Sequence, residues 1–186
     1  MSQRVLVLYA STHGHTHKIA QRIGAQLDRD GIHANVRSVH EYGEYADLGK
    51  YDGVIVGASV HGGHHQSEVV TWLGHHHTRL SAMPSAFFSV SLTAADDSDE
   101  ARATVRELID DVLDATGWTP WETVAFAGAL QFEEYNLPTR VLMRLIAHKH
   151  DPHVDIHQDT DYTDWAAVDR FAEAFAASLR ATEVPS

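Results

Sequence analysis

The chain has 186 residues, of which 44% are hydrophobic, so it is long enough to bury the core of one domain. Its 26 acidic residues outnumber its 14 lysines and arginines, and the resulting formal charge of −12 argues against a nucleic-acid partner. It contains no cysteine, which excludes disulfides, thiolate metal sites and a cysteine nucleophile and agrees with a cytoplasmic protein.

The first predicted strand is followed by a short polar loop and an amphipathic helix. The apolar run Val5–Tyr9 predicts the strand. Ile19, Ile23 and Leu27 repeat at four-residue spacing and predict a helix from Thr16 to about Arg29 that faces a sheet. In this layout the helix start and the neighbouring backbone N–H groups converge on an anion.

The connecting loop, Ser11–Thr16, is called the phosphate loop below. Its hydroxyl groups are donors, and Gly14 allows a positive φ or a close approach of the backbone. It lacks the P-loop lysine and the Gly-rich dinucleotide fingerprint, so a monophosphate fits better than a nucleoside triphosphate or a dinucleotide. The alternative is an ordinary turn that caps the helix. The candidate phosphate-binding residues are Ser11, Thr12, His13, Gly14, His15 and Thr16.

Further strands and helices alternate along the rest of the chain. Each strand is a short apolar or alternating run, and each helix carries an apolar stripe. The predicted strands are residues 33–39, 54–56, 86–90 and 124–127. The predicted helices are 66–80, one with an acidic first turn at 96–100, and the last at 164–180, while 41–50 is a short helix and loop and 57–65 is a loop.

This alternation predicts an α/β fold, a doubly wound parallel sheet with helices on both faces. Five strands suggest the flavodoxin-like order 2-1-3-4-5, in a single domain covering residues 1–186. Ligands bind such sheets beyond the carboxyl ends of the strands, here between the first and third strands. Besides the phosphate loop, the residues expected there are Ser59, Val60, His61, Gly62 and Gly63, and Ser91, Leu92 and Thr93.

Four segments make a more specific resemblance. Gly57–His64, Met83–Leu92, Ala127–Leu130 and Tyr162–Trp165 resemble the menaquinone-dependent protoporphyrinogen IX dehydrogenases of bacteria, which are flavodoxin-fold oxidoreductases that contain FMN. The phosphate loop is also similar to the flavodoxin pattern Ser/Thr-x-Thr-Gly-x-Thr, with His13 in place of the third-position Thr. Family members can carry an Arg and a Tyr near positions 61 and 62, where this chain has His and Gly.

The resemblance implies that protoporphyrinogen IX is dehydrogenated to protoporphyrin IX and that the electrons pass through FMN to a quinone. The loops at 59–63 and 91–93 would then hydrogen-bond to the flavin and tune its potential. His64 would lie at the edge of the flavin, and it is the candidate proton donor or acceptor. The alternative role for His64 is a hydrogen bond that braces the loop.

Residues 131–161 form a predicted helical insertion before the last helix. Arg140 and Arg144 repeat at four-residue spacing on a face separate from its apolar stripe. We expect these two arginines to border the active site and to pair with substrate carboxylates such as porphyrin propionates. Two alternatives stay open, a basic amphipathic helix lying on a membrane near the quinone pool and a core helix with solvated arginines.

The 15 histidines include a consecutive run at 75–77, at the exposed end of a predicted helix. A metal site on a helix would need i, i+3 or i+4 ligand pairs with a carboxylate partner, and His-Glu-x-x-His is absent. We therefore predict no metal.

Two other functions stay open. One is a soluble flavodoxin-like electron-transfer protein whose acidic surface docks to a redox partner protein. The other is an FMN-dependent reductase of a quinone or another small molecule on the same scaffold. The insertion favours an enzyme, because a carrier needs an exposed ring edge. No apolar run approaches the roughly 20 residues of a membrane span, so we expect a cytoplasmic chain with at most peripheral membrane contact at the inner face of the cell membrane, and the question of a homo-oligomer stays open.

Overall fold

A parallel sheet of buried strands forms the centre of the fold. The computed structural model describes residues 2–43, 47–130 and 160–182. The strands are β1 Arg4–Ala10, β2 His33–Ser38, β3 Gly53–His61, β4 His64–His65, β5 Ser85–Ser91, β6 Glu122–Ala127, β7 Ala129–Leu130 and β8 Thr160–Asp161. The helices are α1 His15–Arg29, α2 Val39–Tyr42, α3 Ser67–Ser81, α4 Asp99–Thr116 and α5 Trp165–Ala181, with 3₁₀ turns at Leu48–Lys50 and Thr93–Ala95.

The five long strands pair in the order β2-β1-β3-β5-β6, all of them parallel. This confirms the predicted flavodoxin-like order, with the short β4 added as an antiparallel partner of β3. Every residue of the inner strand β5 is buried, as expected for a parallel strand that is covered on both faces. Right-handed crossovers explain why the intervening helices lie on both faces of the sheet.

Each face of the sheet carries its own apolar core. Leu6 and Val56 belong to the face covered by α3 and α4, and their neighbours Val7 and Ile55 belong to the face covered by α1 and α5. The alternation follows from the two-residue period of a strand. The predicted helix stripes are confirmed, with Ile19, Ile23 and Leu27 of α1 and Val168, Phe171, Phe175 and Leu179 of α5 all buried.

Gly57 of β3 lies against the ring of Phe88 on the neighbouring strand. A Cβ atom at that position would lie 1.8 Å from Cζ of Phe88 on the neighbouring strand, so the Phe88 ring occupies the space that any other residue would need. The ring in turn packs against Phe126 with a centroid distance of 6.0 Å. A glycine is therefore required in the middle of a strand, where it is otherwise unfavourable.

The prediction of a loop at 57–65 is wrong. β3 continues to His61, and a tight turn at Gly62 and Gly63 returns the chain as β4, so that His61 pairs with His64. The two glycines have φ of 59° and 85°. Consecutive positive φ values define the two-residue turn whose twist matches that of paired strands, which is why Gly-Gly produces a hairpin here.

Two smaller differences concern helices. The helix expected to begin within the acidic stretch 96–100 starts at Asp99 with Ser98 as its cap, so only Asp99 and Glu100 lie in its first turn. The histidine run 75–77 lies in the last two turns of α3, as predicted, but only His75 is exposed, whereas His76 and His77 are half-buried. Within α3, the His76 ring lies 4.4 Å from that of Trp72.

β7 and β8 pair antiparallel, with Ala129 opposite Asp161. The predicted insertion, apart from its last two residues, lies outside the described residues, and so do Arg140 and Arg144. Among the described helices, none has both the length and the apolar character needed to cross a bilayer.

Candidate functional site

An open cleft of about 430 Å³ lies at the carboxyl ends of β1, β3, β5 and β6. Parallel strands end there together, which brings four separate stretches of sequence to one place. The cleft is lined by Ser11, Thr12, His13, His15, Thr16, Ser59, Val60, His61, Val90, Ser91, Leu92, Gly128 and Ala129. A larger opening of about 820 Å³ lies near the opposite end of the sheet, before β6, and contains none of the predicted site residues.

Most of the predicted cofactor residues therefore line one cleft. Gly14, Gly62, Gly63 and Thr93 shape the surrounding turns and are not part of its lining. Val90, Gly128 and Ala129 also line the cleft but were not among the predicted site residues. Gly128 and Ala129 follow the end of β6, and their position after a strand was the signal that could have identified them.

The phosphate loop leaves the N-terminus of α1 open. Gly14 occupies the cap position with φ 79°, and no side chain caps the helix. No acidic residue lies in the first turn, so no carboxylate competes there for an anion. The first N–H groups of a helix have no partner within the helix, and together with the helix dipole they form an anion-binding site.

Three buried polar atoms around the cleft have no hydrogen-bond partner in the part of the chain that the structure describes. They are Nδ1 of His15, Oγ1 of Thr16 and Oγ of Ser59. Buried polar atoms are nearly always satisfied, so this concentration at one cleft fits a bound ligand with polar atoms at both ends of the cleft. A phosphate near Thr16 and a hydrogen-bonding ring edge near Ser59 meet that requirement.

His15 is nine-tenths buried and contacts one residue of β8 and one that follows it. Its Nε2 lies 2.7 Å from Oγ1 of Thr163 and 3.5 Å from Oδ1 of Asp161. Burial lowers the pKa of His15, and the Asp161 carboxylate opposes that shift. Burial by itself raises the pKa of Asp161, but hydrogen bonds from Thr163 and Trp165 and the charge of His15 outweigh it, so the pKa is lowered.

The hairpin turn at Gly62 and Gly63 forms the other rim of the cleft. His61 is exposed there, and its ring lies 5.7 Å from that of His13 on the phosphate loop. His64, the predicted proton donor or acceptor, is exposed but does not line the cleft. It lines a separate cavity of about 410 Å³ between the hairpin, α3 and α4.

His65, next to His64, is buried. Its Nε2 lies 2.8 Å from Oγ of Ser89, and burial lowers its pKa to about 4, so it is neutral at physiological pH. Over the described ranges, no three His, Asp or Glu side chains are grouped in a way that could hold a metal ion.

A family model described as a flavodoxin domain matches residues 6–156. Two curated relatives are both called protoporphyrinogen IX dehydrogenase [quinone]. The Leishmania major protein is 40% identical over 177 residues, which cover 95% of this chain and 76% of that protein. The Escherichia coli K12 protein is 33% identical over 173 residues, covering 93% of this chain and 94% of that protein.

The solved structures show the fold. Oxidised flavodoxin 1 from Bacillus cereus superposes with a TM-score of 0.59 at 15% identity, covering 94% of this chain and 98% of that one. The fold of this chain is thus found again in a chain of quite different sequence.

Proposed function

Because the chain belongs to the flavodoxin domain family, and within it to the protoporphyrinogen IX dehydrogenases [quinone], we propose that it dehydrogenates protoporphyrinogen IX to protoporphyrin IX and passes the electrons to a quinone. Membership of this family implies a flavin cofactor. We assign FMN as that flavin, since one phosphate is what the cleft is suited to hold.

The open N-terminus of α1 is the observation that carries the assignment. It combines an uncapped helix, a positive-φ glycine and the buried Thr16 hydroxyl, which has no partner among the described residues. These are neutral donors around a positive dipole end, suited to a phosphate monoester. Ser59, Val60 and His61 would then lie beside the ring, at the end of β3.

The residues that line the cleft would bind, orient and shield the flavin. Val60, Val90 and Leu92 give the cleft an apolar lining, which would exclude water from the face of a bound ring. Gly128 and Ala129 keep the wall after β6 free of large side chains. When bound, the flavin supplies two-electron redox chemistry.

His61 is the imidazole best placed to meet a substrate, because it is exposed at the rim of this cleft. A protonated imidazole there can attract the carboxylates of an anionic substrate or move a proton. His64, which lines the neighbouring cavity, and Arg140 and Arg144 stay predictions.

The test measures both the oxidation of protoporphyrinogen and the number of FMN molecules bound per chain. Purified protein should be yellow and release one FMN per chain on heating, and it should oxidise protoporphyrinogen with a menaquinone analogue as acceptor. A yellow protein that is reduced by a ferredoxin reductase but has no porphyrinogen turnover would support the electron carrier instead. A yellow protein that reduces quinones from another donor and leaves protoporphyrinogen untouched would support the alternative reductase.

A further inference from the structure

The side chain of Gln66 connects the two rims of the cleft. Gln66 lies between β4 and α3 and occupies the cap position of α3, yet it makes no capping hydrogen bond. Its amide instead reaches the phosphate loop, 2.7 Å from Oγ1 of Thr12. The hairpin rim and the phosphate rim are therefore joined by one side chain.

The partners of this amide determine its orientation. The carbonyl of Ala10 can only accept a hydrogen bond, and the N–H of Thr12 can only donate one. Nε2 of Gln66 therefore donates to Ala10 O at 2.9 Å, while Oε1 accepts from Thr12 N at 3.0 Å and from Thr12 Oγ1 at 2.7 Å. One planar group thus satisfies the backbone groups on both sides of Ser11.

These contacts begin where the sheet ends. The pairing of β1 with β3 stops at Ala10 opposite Ala58, and beyond that point the backbone of the phosphate loop has no strand beside it. Backbone polar groups need partners, and the Gln66 amide supplies a donor and an acceptor in the place of a neighbouring strand. The start of the phosphate loop is consequently held in one shape by a residue 54 positions away.

Thr12 takes a different role as a result. Its hydroxyl has one hydrogen, which it donates to Oε1 of Gln66, and its N–H is used by the same oxygen. Neither group is then free to donate to a phosphate. Donors that remain at this end of the cleft include the Ser11 and Thr16 hydroxyls and the first N–H groups of α1.

We propose that Gln66 is a positioning residue for the flavin phosphate. It holds residues 10–12 so that the N-terminus of α1 stays open, and Thr12 is its partner rather than a phosphate ligand. This role presupposes the proposed flavin function and goes beyond it, because it names the group that shapes the phosphate loop before the cofactor arrives. Preorganisation of this kind acts on affinity without direct contact.

The experiment compares FMN with riboflavin, which lacks the phosphate, by titration of the apoprotein. The Gln66→Ala variant should bind FMN on the order of 10-fold more weakly, since three neutral hydrogen bonds that order the loop are lost. Its affinity for riboflavin should change by less than about two-fold, because the ring site keeps its contacts. The matched control is Gln21→Ala on the exposed face of α1, which should alter neither affinity.

Two further variants test the individual hydrogen bonds of the Gln66 amide. Thr12→Val removes one hydroxyl, and its effect on FMN should be absent when Gln66 is already alanine, because coupled residues are not additive. Gln66→Glu keeps the acceptor but loses the donor to Ala10 and adds a negative charge. It should weaken FMN more than Gln66→Ala does, and added salt should reduce the difference between these two variants.

The outcomes distinguish this role from the function it presupposes. A wild-type apoprotein that binds no FMN would overturn the proposed function. A wild type that binds FMN beside a Gln66→Ala variant that binds it equally well overturns only the positioning role. Equal loss of FMN and riboflavin also overturns it, because that is general damage to the cleft. If Gln66→Ala does not fold, Gln66→Glu and Thr12→Val give the same comparison.

Discussion

Thr163 determines which nitrogen of His15 carries the proton. The Thr163 hydroxyl donates its one hydrogen to the carbonyl of Ala127 at 2.8 Å, because a carbonyl can only accept. Toward His15, 2.7 Å away, the same oxygen must therefore accept, so Nε2 of His15 is the protonated nitrogen. Nδ1 is left as a buried acceptor with no partner among the described residues. Any further proton taken up by His15 must bind at Nδ1.

We expect FMN binding to be linked to proton uptake at His15. A phosphate at the start of α1 would favour the charged imidazole, as Asp161 already does, whereas burial and Lys18 oppose it. In the absence of cofactor the pKa of His15 lies below its usual value. FMN binding should raise this pKa, so His15 should take up a proton at pH values between its pKa in the free protein and its pKa in the complex. Calorimetric titration of the apoprotein near pH 6.5, in two buffers of different ionisation enthalpy, measures the protons taken up.

The control for this linkage is His15→Gln, which keeps a donor toward Thr163 and cannot titrate. The phosphate of FMN also titrates near pH 6, so the number that matters is the difference between wild type and variant. Riboflavin should show no such difference. Equal proton uptake by the two proteins on FMN binding would contradict the role of His15.

Thr16→Val and Ser59→Ala should weaken flavin binding without a cost in stability. The hydroxyl oxygens removed are buried and form no hydrogen bond to any described residue, so the free energy of unfolding of the apoprotein should stay the same or rise. Thr16→Val should affect FMN and spare riboflavin, whereas Ser59→Ala should affect both. Urea unfolding and flavin titration of the same apoprotein samples give the two readouts, and a loss of stability of about 1 kcal/mol or more would show that a protein partner had been removed.

The buried His65 should make the protein less stable in mild acid. Its pKa is about 4 in the folded protein, against 6.5 for an ordinary histidine, so the unfolded chain binds more protons between those values. The contribution of His65 to the free energy of unfolding is therefore fully present above about pH 6.5. It is lost as the pH falls toward 4, and the loss is on the order of 3 kcal/mol. Urea unfolding of wild type and His65→Gln at pH 7 and pH 5 tests the difference in slope. His33→Gln, at an exposed position, is the control and should keep the wild-type slope.

Gly57→Ala should destabilise the fold by about 1–3 kcal/mol or more, because its Cβ would lie 1.8 Å from the Phe88 ring. Adding Phe88→Leu should recover part of the loss by vacating that space. Gly74→Ala is the matched control, since that glycine lies within α3 with no atom near its Cβ position, and it should stabilise by about 0.5–1 kcal/mol. Thermal unfolding is compared for the wild type, Gly57→Ala, Phe88→Leu, the double variant and the Gly74→Ala control. An additive double variant would contradict the steric explanation.

Local patterns predicted most of the strands and helices because each depends on neighbouring residues, and the alternation of strands and helices then predicted the strand order in the sheet. The apolar stripe of α1 and the buried run of β5 have periods that sequence shows directly. The hairpin at Gly62 and Gly63 was missed although its signal is local, because the two glycines were assigned only to a loop at the ligand site. Gly-Gly between two pairing residues is itself a turn signal.

The supporting contacts of the cleft could not be predicted in the same way. His15 and Thr163 are 148 residues apart, and Gln66 and Thr12 are 54 apart. Neither pair has a characteristic spacing, and each is brought together only by the meeting of strand ends at one edge of the sheet. The motif residues of the site were visible in the sequence, whereas the residues that orient them became visible only in the fold.

The most direct measurement is a fluorescence titration of the apoprotein with FMN and with riboflavin. If a phosphate dianion binds at the start of α1, one FMN binds per chain, on the order of 100-fold more tightly than riboflavin, since several charge-assisted hydrogen bonds are involved. No FMN binding, or equal affinity for the two flavins, would contradict a phosphate site at the first βα turn.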